Sequence, residues 1–144
     1  MKPLILSLTF LCLAVCGSLS AQVYSDQVYQ QLKKSYNTLR QYGNVKLEKT
    51  IITNVTDDET DGWTFYMSSS KTYFIVGACD NDCSDLDMYI TRANSSYKIR
   101  EDRETNDIPV ISYTPSVSGR YTITLKMYSC SASICYQGFS VYSL

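Results

Sequence analysis

The sequence predicts an all-β chain: an antiparallel β-sandwich or jelly roll of about eight strands, preceded by one N-terminal α-helix. Three observations predict it. From residue 45 onward apolar and polar residues alternate with period two. The alternating runs are short and recur about every ten residues. Asp, Asn, Gly, Ser and Pro fill the gaps between them, as turns require. The stretch before residue 44 has no such alternation.

The chain opens MKPLILSLTFLCLAVCGSLSA. Lys2 supplies a positive start, Leu4 to Val15 an apolar run, and Gly17 to Ala21 a set of small residues. That is the layout of a secretory signal peptide over residues 1–21, with cleavage expected near Ala21. The run falls short of the roughly 20 apolar residues that a membrane span needs. Cys16 sits where a lipidated cysteine would, but Val15 is bulky where lipoprotein signals carry a small residue. No later segment is apolar enough to span, so no membrane insertion is expected after signal cleavage.

Residues 22–43 read as an amphipathic helix. Tyr24, Val28, Leu32, Tyr36, Leu39 and Tyr42 fall at spacings of four and three, one face of a helix. Ser25 can cap its start, Asp26 suits the first turn, and Gly43 can stop it. Such a helix either lies against the domain that follows or docks on a partner.

Residues 45–144 form the β domain. Val45, Leu47 and Ile51 begin a strand; Trp63, Phe65 and Met67 alternate with Thr64, Tyr66 and Ser68. Strands are then expected over 72–79, 85–92, 96–100, 108–114, 119–128 and 135–142. The clearest is 119–128, with Tyr121, Ile123, Leu125 and Met127 on one face and Arg120, Thr122, Thr124 and Lys126 on the other.

Removal of the leader takes away Cys12 and Cys16 and leaves Cys79, Cys83, Cys130 and Cys135. An even count in an exported chain reads as two disulfides. Three pairings are open. A five-residue loop contributes about 2 kcal/mol by loop entropy, and a crossed pair closing about 50 residues about 4 kcal/mol. Both local pairs fall at strand ends, which favours Cys79 with Cys83 and Cys130 with Cys135. The spacings C-x3-C and C-x4-C also lie within what zinc tolerates, but export favours oxidation.

Composition excludes several classes. Net charge is −1, so no nucleic-acid partner is implied. Histidine is absent, which removes Ser-His-Asp, Cys-His and HExxH machinery. The acids cluster in turns, and nothing marks one as a raised catalytic acid. The chain is therefore read as not an enzyme.

GACDNDCSDLDMYI, followed by PVISYTPSVSGRYTITLKMY, resembles the bacterial pre-peptidase C-terminal domain. Asp85-Leu86-Asp87-Met88-Tyr89 matches that family's Asp-x-Asp-Leu-Tyr-like strand start, Ser118-Gly119-Arg120-Tyr121 its turn into the penultimate strand, and Tyr136 to Tyr142 the closing strand. The resemblance covers about residues 45–143. It implies a small non-catalytic β-sandwich, related to the collagen-binding modules of collagenases, some of which bind calcium. No peptidase precedes the domain here, and the four cysteines are not part of the family pattern.

Two acidic sets are candidates for calcium, the one cofactor expected. Asp80, Asp82, Asp85 and Asp87 could supply several of its six to eight oxygen ligands, although the stretch lacks the EF-hand glycine and glutamate. Asp57, Asp58, Glu59 and Asp61 occupy the stretch that the calcium-binding relatives use. At most one set is expected to bind. Without calcium, both are turn aspartates bonded to backbone amides. Period two also turns Tyr66, Tyr89, Tyr128, Tyr136 and Tyr142 away from the core, where rings with polar tips suit a polysaccharide or protein surface, or pair across a wet sheet face. Asn54 and Asn94 open glycosylation acceptor patterns that have no meaning in a bacterial source. The expected function is an exported, secreted or periplasmic, non-catalytic binding module for a polysaccharide, protein or peptide. The alternative is an interaction protein whose N-terminal helix docks on a partner such as a protease, as chaperone or inhibitor.

Overall fold

The structure, a computed structural model, describes the backbone of residues 9–144 and side chains from residue 21 onward. The side chains of the expected signal peptide up to residue 20, including Cys12 and Cys16, lie outside the described residues. One helix, α1 (Thr9–Leu39), precedes eight strands: β1 (Lys46–Val55), β2 (Thr60–Met67), β3 (Tyr73–Cys79), β4 (Cys83–Arg92), β5 (Lys98–Asp102), β6 (Val110–Tyr113), β7 (Gly119–Cys130) and β8 (Cys135–Ser143). The helix stops at Leu39, before the expected Gly43. Tight i→i+3 turns follow, with the Gln41 amide on the Thr38 carbonyl at 3.1 Å and the Tyr42 amide on the Leu39 carbonyl at 3.0 Å.

The strands form two antiparallel sheets. The first has the order β1-β8-β3-β6 and the second β2-β7-β4-β5. Their inner faces interdigitate as alternation requires: Ile75, Phe139 and Val141 from the first sheet meet Leu86, Met88, Ile90, Ile123, Leu125 and Met127 from the second. Trp63 and Phe65 pack on Phe139, with ring centroids 5.3 and 5.9 Å apart. Along the β5/β6 side the layers are tied by Asp102, which accepts a 2.8 Å bond from the Val110 amide.

The helix covers the outer face of the first sheet, lying over β8, β3 and β1. Val28 and Leu32 are buried against Ala78, with Ile52 and Tyr136 packed beside them. Two small residues make the seat. Ala78 and Gly138 are cross-strand partners, and a Cβ on Gly138 would stand 2.5 Å from the Ile51 carbonyl oxygen and 3.1 Å from Val28. Tyr24 stacks on Tyr136 and Tyr36 on Tyr142 at 6.3 and 5.6 Å. Polar contacts fix the register. Gln31 Nε2 donates to the Cys79 carbonyl at 2.7 Å, the Asn81 amide donates to Gln27 Oε1 at 3.1 Å, and the Tyr142 hydroxyl donates to the Leu32 carbonyl at 3.1 Å. Of the predicted helix face, Tyr24, Val28, Leu32 and Tyr36 pack on the chain's own sheet, while Tyr42 lies beyond the helix end and is exposed.

Gly138→Ala is expected to destabilise the chain by about 1–3 kcal/mol through overpacking. Urea unfolding followed by circular dichroism measures it. An unchanged midpoint would show that β1 and α1 yield without cost.

Candidate functional site

The stretch CDNDCSDLDMY, residues 79–89, runs from the end of β3 into β4 and forms a clamped corner. Cys79 is bonded to Cys83 and Cys130 to Cys135, each with Cα atoms 5.9 Å apart, so the local pairing holds. Each disulfide spans one crossing between the sheets, β3 to β4 and β7 to β8, and Cys83 and Cys130 are register partners. Asp80 joins the two crossings. It is almost fully buried, accepts from the Tyr136 amide at 2.7 Å and from the Asp82 amide at 3.2 Å, and burial pushes its carboxyl above the ordinary range despite those bonds. The Asp82 carbonyl accepts from the Ser131 amide at 2.8 Å and its hydroxyl at 2.9 Å. Asp85 and Asp87 sit farther along β4 on the outer face, beyond register shifts on either side of Asp85. Burial, and then the neighbouring Asp85, raise the pKa of Asp87.

The second acidic set is likewise engaged in the turn between β1 and β2. Asp57 accepts from the Cys130 amide at 2.7 Å. Asp58, in the left-handed region at φ 59°, pairs with Lys126. Glu59 closes the turn on the amide and hydroxyl of Thr56 at 2.8 and 3.1 Å, and Asp61 accepts from the Gly62 amide at 3.0 Å. Neither set is gathered around a common point: among the described residues no three Asp, Glu or Cys side chains converge as metal ligands. The melting temperature is expected to be the same in chelator and in millimolar calcium. A rise that saturates with calcium would reassign these carboxylates as ligands.

The five outward tyrosines divide in two. Tyr136 and Tyr142 point away from the core as alternation predicts, but α1 covers them, so they leave the candidate surface. Tyr142 is only 1% exposed, whereas Tyr66 and Tyr128 are 69% and 54% exposed. Tyr66, Tyr89 and Tyr128 share the outer face of the second sheet, on the side of the sandwich away from α1. Register gives their spacing. Tyr66 on β2 lies opposite Arg120 and Tyr89 on β4 opposite Thr124. With Tyr128 of β7 itself, the three rings step by four residues, about 14 Å of strand rise, along the β7 direction while standing on three neighbouring strands. Between them run polar rows. Thr64, Thr122 and Thr91 form one, with a 2.8 Å hydroxyl bond between the first two; Thr60, Lys126 and Asp87 form another. Lys98 and Lys126 lie over the rings of Tyr89 and Tyr128 at 4.4 and 5.3 Å, which holds those rings and sets ammonium donors beside them.

Beside Tyr66 the sandwich opens at the edges of β1 and β2. A cavity of about 430 Å³ has Phe65, Met67, Tyr73 and Val141 as its apolar floor. Glu48 and Lys71 stand at its mouth with Lys49. A bulge between Leu47 and Lys49 aims Glu48 at Ser143, 2.7 Å, Lys71, 3.0 Å, and Lys46, 3.2 Å. The Ser143 hydroxyl first and Lys71 next hold the Glu48 carboxyl down at about 2. A depressed carboxylate stabilises the fold above its ordinary pKa, and that stability is lost as pH falls toward the folded value. Glu48→Gln is therefore expected to lower the melting temperature at pH 7 and to flatten its fall between about pH 4.5 and 2. Thermal melts across that window measure it; an unchanged slope would place the acid sensitivity elsewhere.

No protein-family model matches the sequence, and no curated protein does. Solved structures do match in shape. The pre-peptidase C-terminal domain of the Bacillus anthracis collagenase aligns with TM-score 0.52 and 15% identity, over 66% of this chain and 89% of that one. The fold is that of a pre-peptidase C-terminal domain. The periplasmic g-type lysozyme inhibitor PliG of Aeromonas hydrophila aligns at 0.49 and 13%, over 67% and 85%. The xylan-binding module CBM86 of Roseburia intestinalis aligns at 0.44 and 8%, over 69% and 88%. At these identities the likeness is one of architecture.

Proposed function

We propose that the chain is an exported, non-catalytic binding module whose ligand is a polysaccharide strand lying along β7 on the outer face of the second sheet. One observation carries the reading. The sheet face left open by α1 presents Tyr66, Tyr128 and Tyr89 staggered across β2, β7 and β4 at equal steps along the strand direction, with hydroxyl and ammonium donors in the rows between. An extended polymer of repeating units meets such a face with the same chemistry at each step: apolar sugar faces on the rings, sugar hydroxyls on the threonines. The surface is shallow, as suits a chain passing over it rather than a small molecule held within. The four described cysteines are disulfides, which suits a secreted or periplasmic site of action and leaves no thiol nucleophile among them. The choice of a polysaccharide over a protein partner rests on the face itself.

The test is nuclear magnetic resonance titration with a panel of soluble neutral polysaccharides. Amide shifts are expected along β7 and at Tyr66, Tyr89 and Thr91. Replacing Tyr66 or Tyr128 with Ala should weaken binding about tenfold each, with the melt unchanged. Shifts confined to α1, or affinity that ignores both replacements, would remove the reading.

A further inference from the structure

The two sheets have four edge strands, and three are guarded against pairing. β1 carries a bulge and the exposed Lys49, register partner of the buried Val141. β5 is five residues long and holds Lys98, Arg100, Glu101 and Asp102. β6 is four residues long and begins just after Pro109. β2 is different. It pairs with β7 through eight residues without a register shift, and from Gly62 to Met67 it has no charge, no proline and no bulge.

The free edge of β2 has a definite phase. The Met127 amide donates to the Glu59 carbonyl at 2.9 Å. Antiparallel ladders alternate, so Asp61, Trp63, Phe65 and Met67 bond to β7, and the backbone groups of Gly62, Thr64 and Tyr66 point outward. There the Gly62 amide meets only the adjacent Asp61 carboxylate at 3.0 Å, a local contact that pairing would have to displace. Charge is also polarised along the strand. Asp57, Asp58, Glu59 and Asp61 stand at its start. Lys46, Lys49 and Lys71 surround Glu48 at the cavity by its end.

We infer that β2 is the pairing edge of a homodimer, joined antiparallel across a two-fold axis at Thr64. Antiparallel pairing sets the acidic start of each strand beside the lysine-rich end of the other, so the occupant that complements this edge is a second copy of the chain. The side chains agree. The axis places Tyr66 of each copy opposite Gly62 of the other on the outer face. A large exposed ring there covers a glycine that has no side chain of its own to pack. The same pairing joins the two outer faces into one eight-stranded sheet. This goes beyond the polysaccharide reading, though it would lengthen the proposed face and place both copies of Tyr66 at its centre.

Sedimentation velocity of the full chain over a concentration series tests the dimer without any ligand. A reversible monomer–dimer equilibrium is expected, weakened by sodium chloride because the paired charges are near the surface. Thr64→Pro removes an outward amide that β7 does not use, so it should abolish the dimer while circular dichroism and the monomer melt persist. Lys49→Glu, a surface change that leaves folding intact, should raise the dissociation constant about tenfold. In the dimer, amide hydrogens of Thr64 and Tyr66 should exchange more slowly than in dilute monomer. A chain that stays monomeric at every concentration overturns the inference. So does a dimer indifferent to salt and to Lys49→Glu.

Discussion

Val28 of α1 rests over Gly138, at a place where the sheet has no room for a Cβ. The apolar stripe of the helix needs a smooth seat, and Ala78 and Gly138 supply it on adjacent strands. Once the helix is seated, Tyr136 and Tyr142 become its stacking partners. One sheet is thereby sealed and the other left open. The same tyrosine-rich alternation thus has two fates: a packed interface on β8, and a wet aromatic face on β2, β4 and β7. Which surface is available for binding follows from that one contact.

The corner where β3 crosses to β4 and β7 to β8 is electrostatic as well as covalent. Two crossings between the sheets lie side by side, each closed by a disulfide, and Asp80 is drawn between them by two backbone amides. Burial opposes the charge while the amide donors favour it; the net shift upward shows burial to be the larger effect. Asp57, reaching across to the Cys130 amide from the β1–β2 turn, brings a third crossing to the same end. Asp80 and Asp57 there are engaged as backbone acceptors.

Most of the fold was legible because period two is a local property. All eight strands fall on the runs that alternation marks, with ends displaced by a few residues at most. The disulfides followed from strand ends. Of the five tyrosines, alternation placed all on outward faces and was right to do so. It could not say that α1 would lie over two of them, because the seat depends on Ala78 and Gly138 meeting across strands far apart in sequence. The acidic sets were legible as turn residues accepting from backbone amides, but not which amides. Asp80 and Asp57 bond to amides more than 50 residues away. The cavity at Phe65 and Met67 was likewise invisible, since it arises where two edges from different sheets fail to close.

Edges are where a sandwich must choose between sealing and pairing. This chain seals one side with Asp102, which carries a carboxylate across from β5 to the Val110 amide of β6. On the other side β1 is guarded by its bulge and its lysines, yet β2, its neighbour across the gap, is left smooth. An unguarded edge costs a protein solubility unless something specific occupies it. The polarity of β2, acidic at its start and lysine-flanked at its end, makes the strand complementary to its own reverse, while a parallel neighbour of the same sequence would set like charges together. The charge pattern therefore does what a bulge or a proline does on the other edges: it limits the pairings the strand accepts, but to one geometry instead of none.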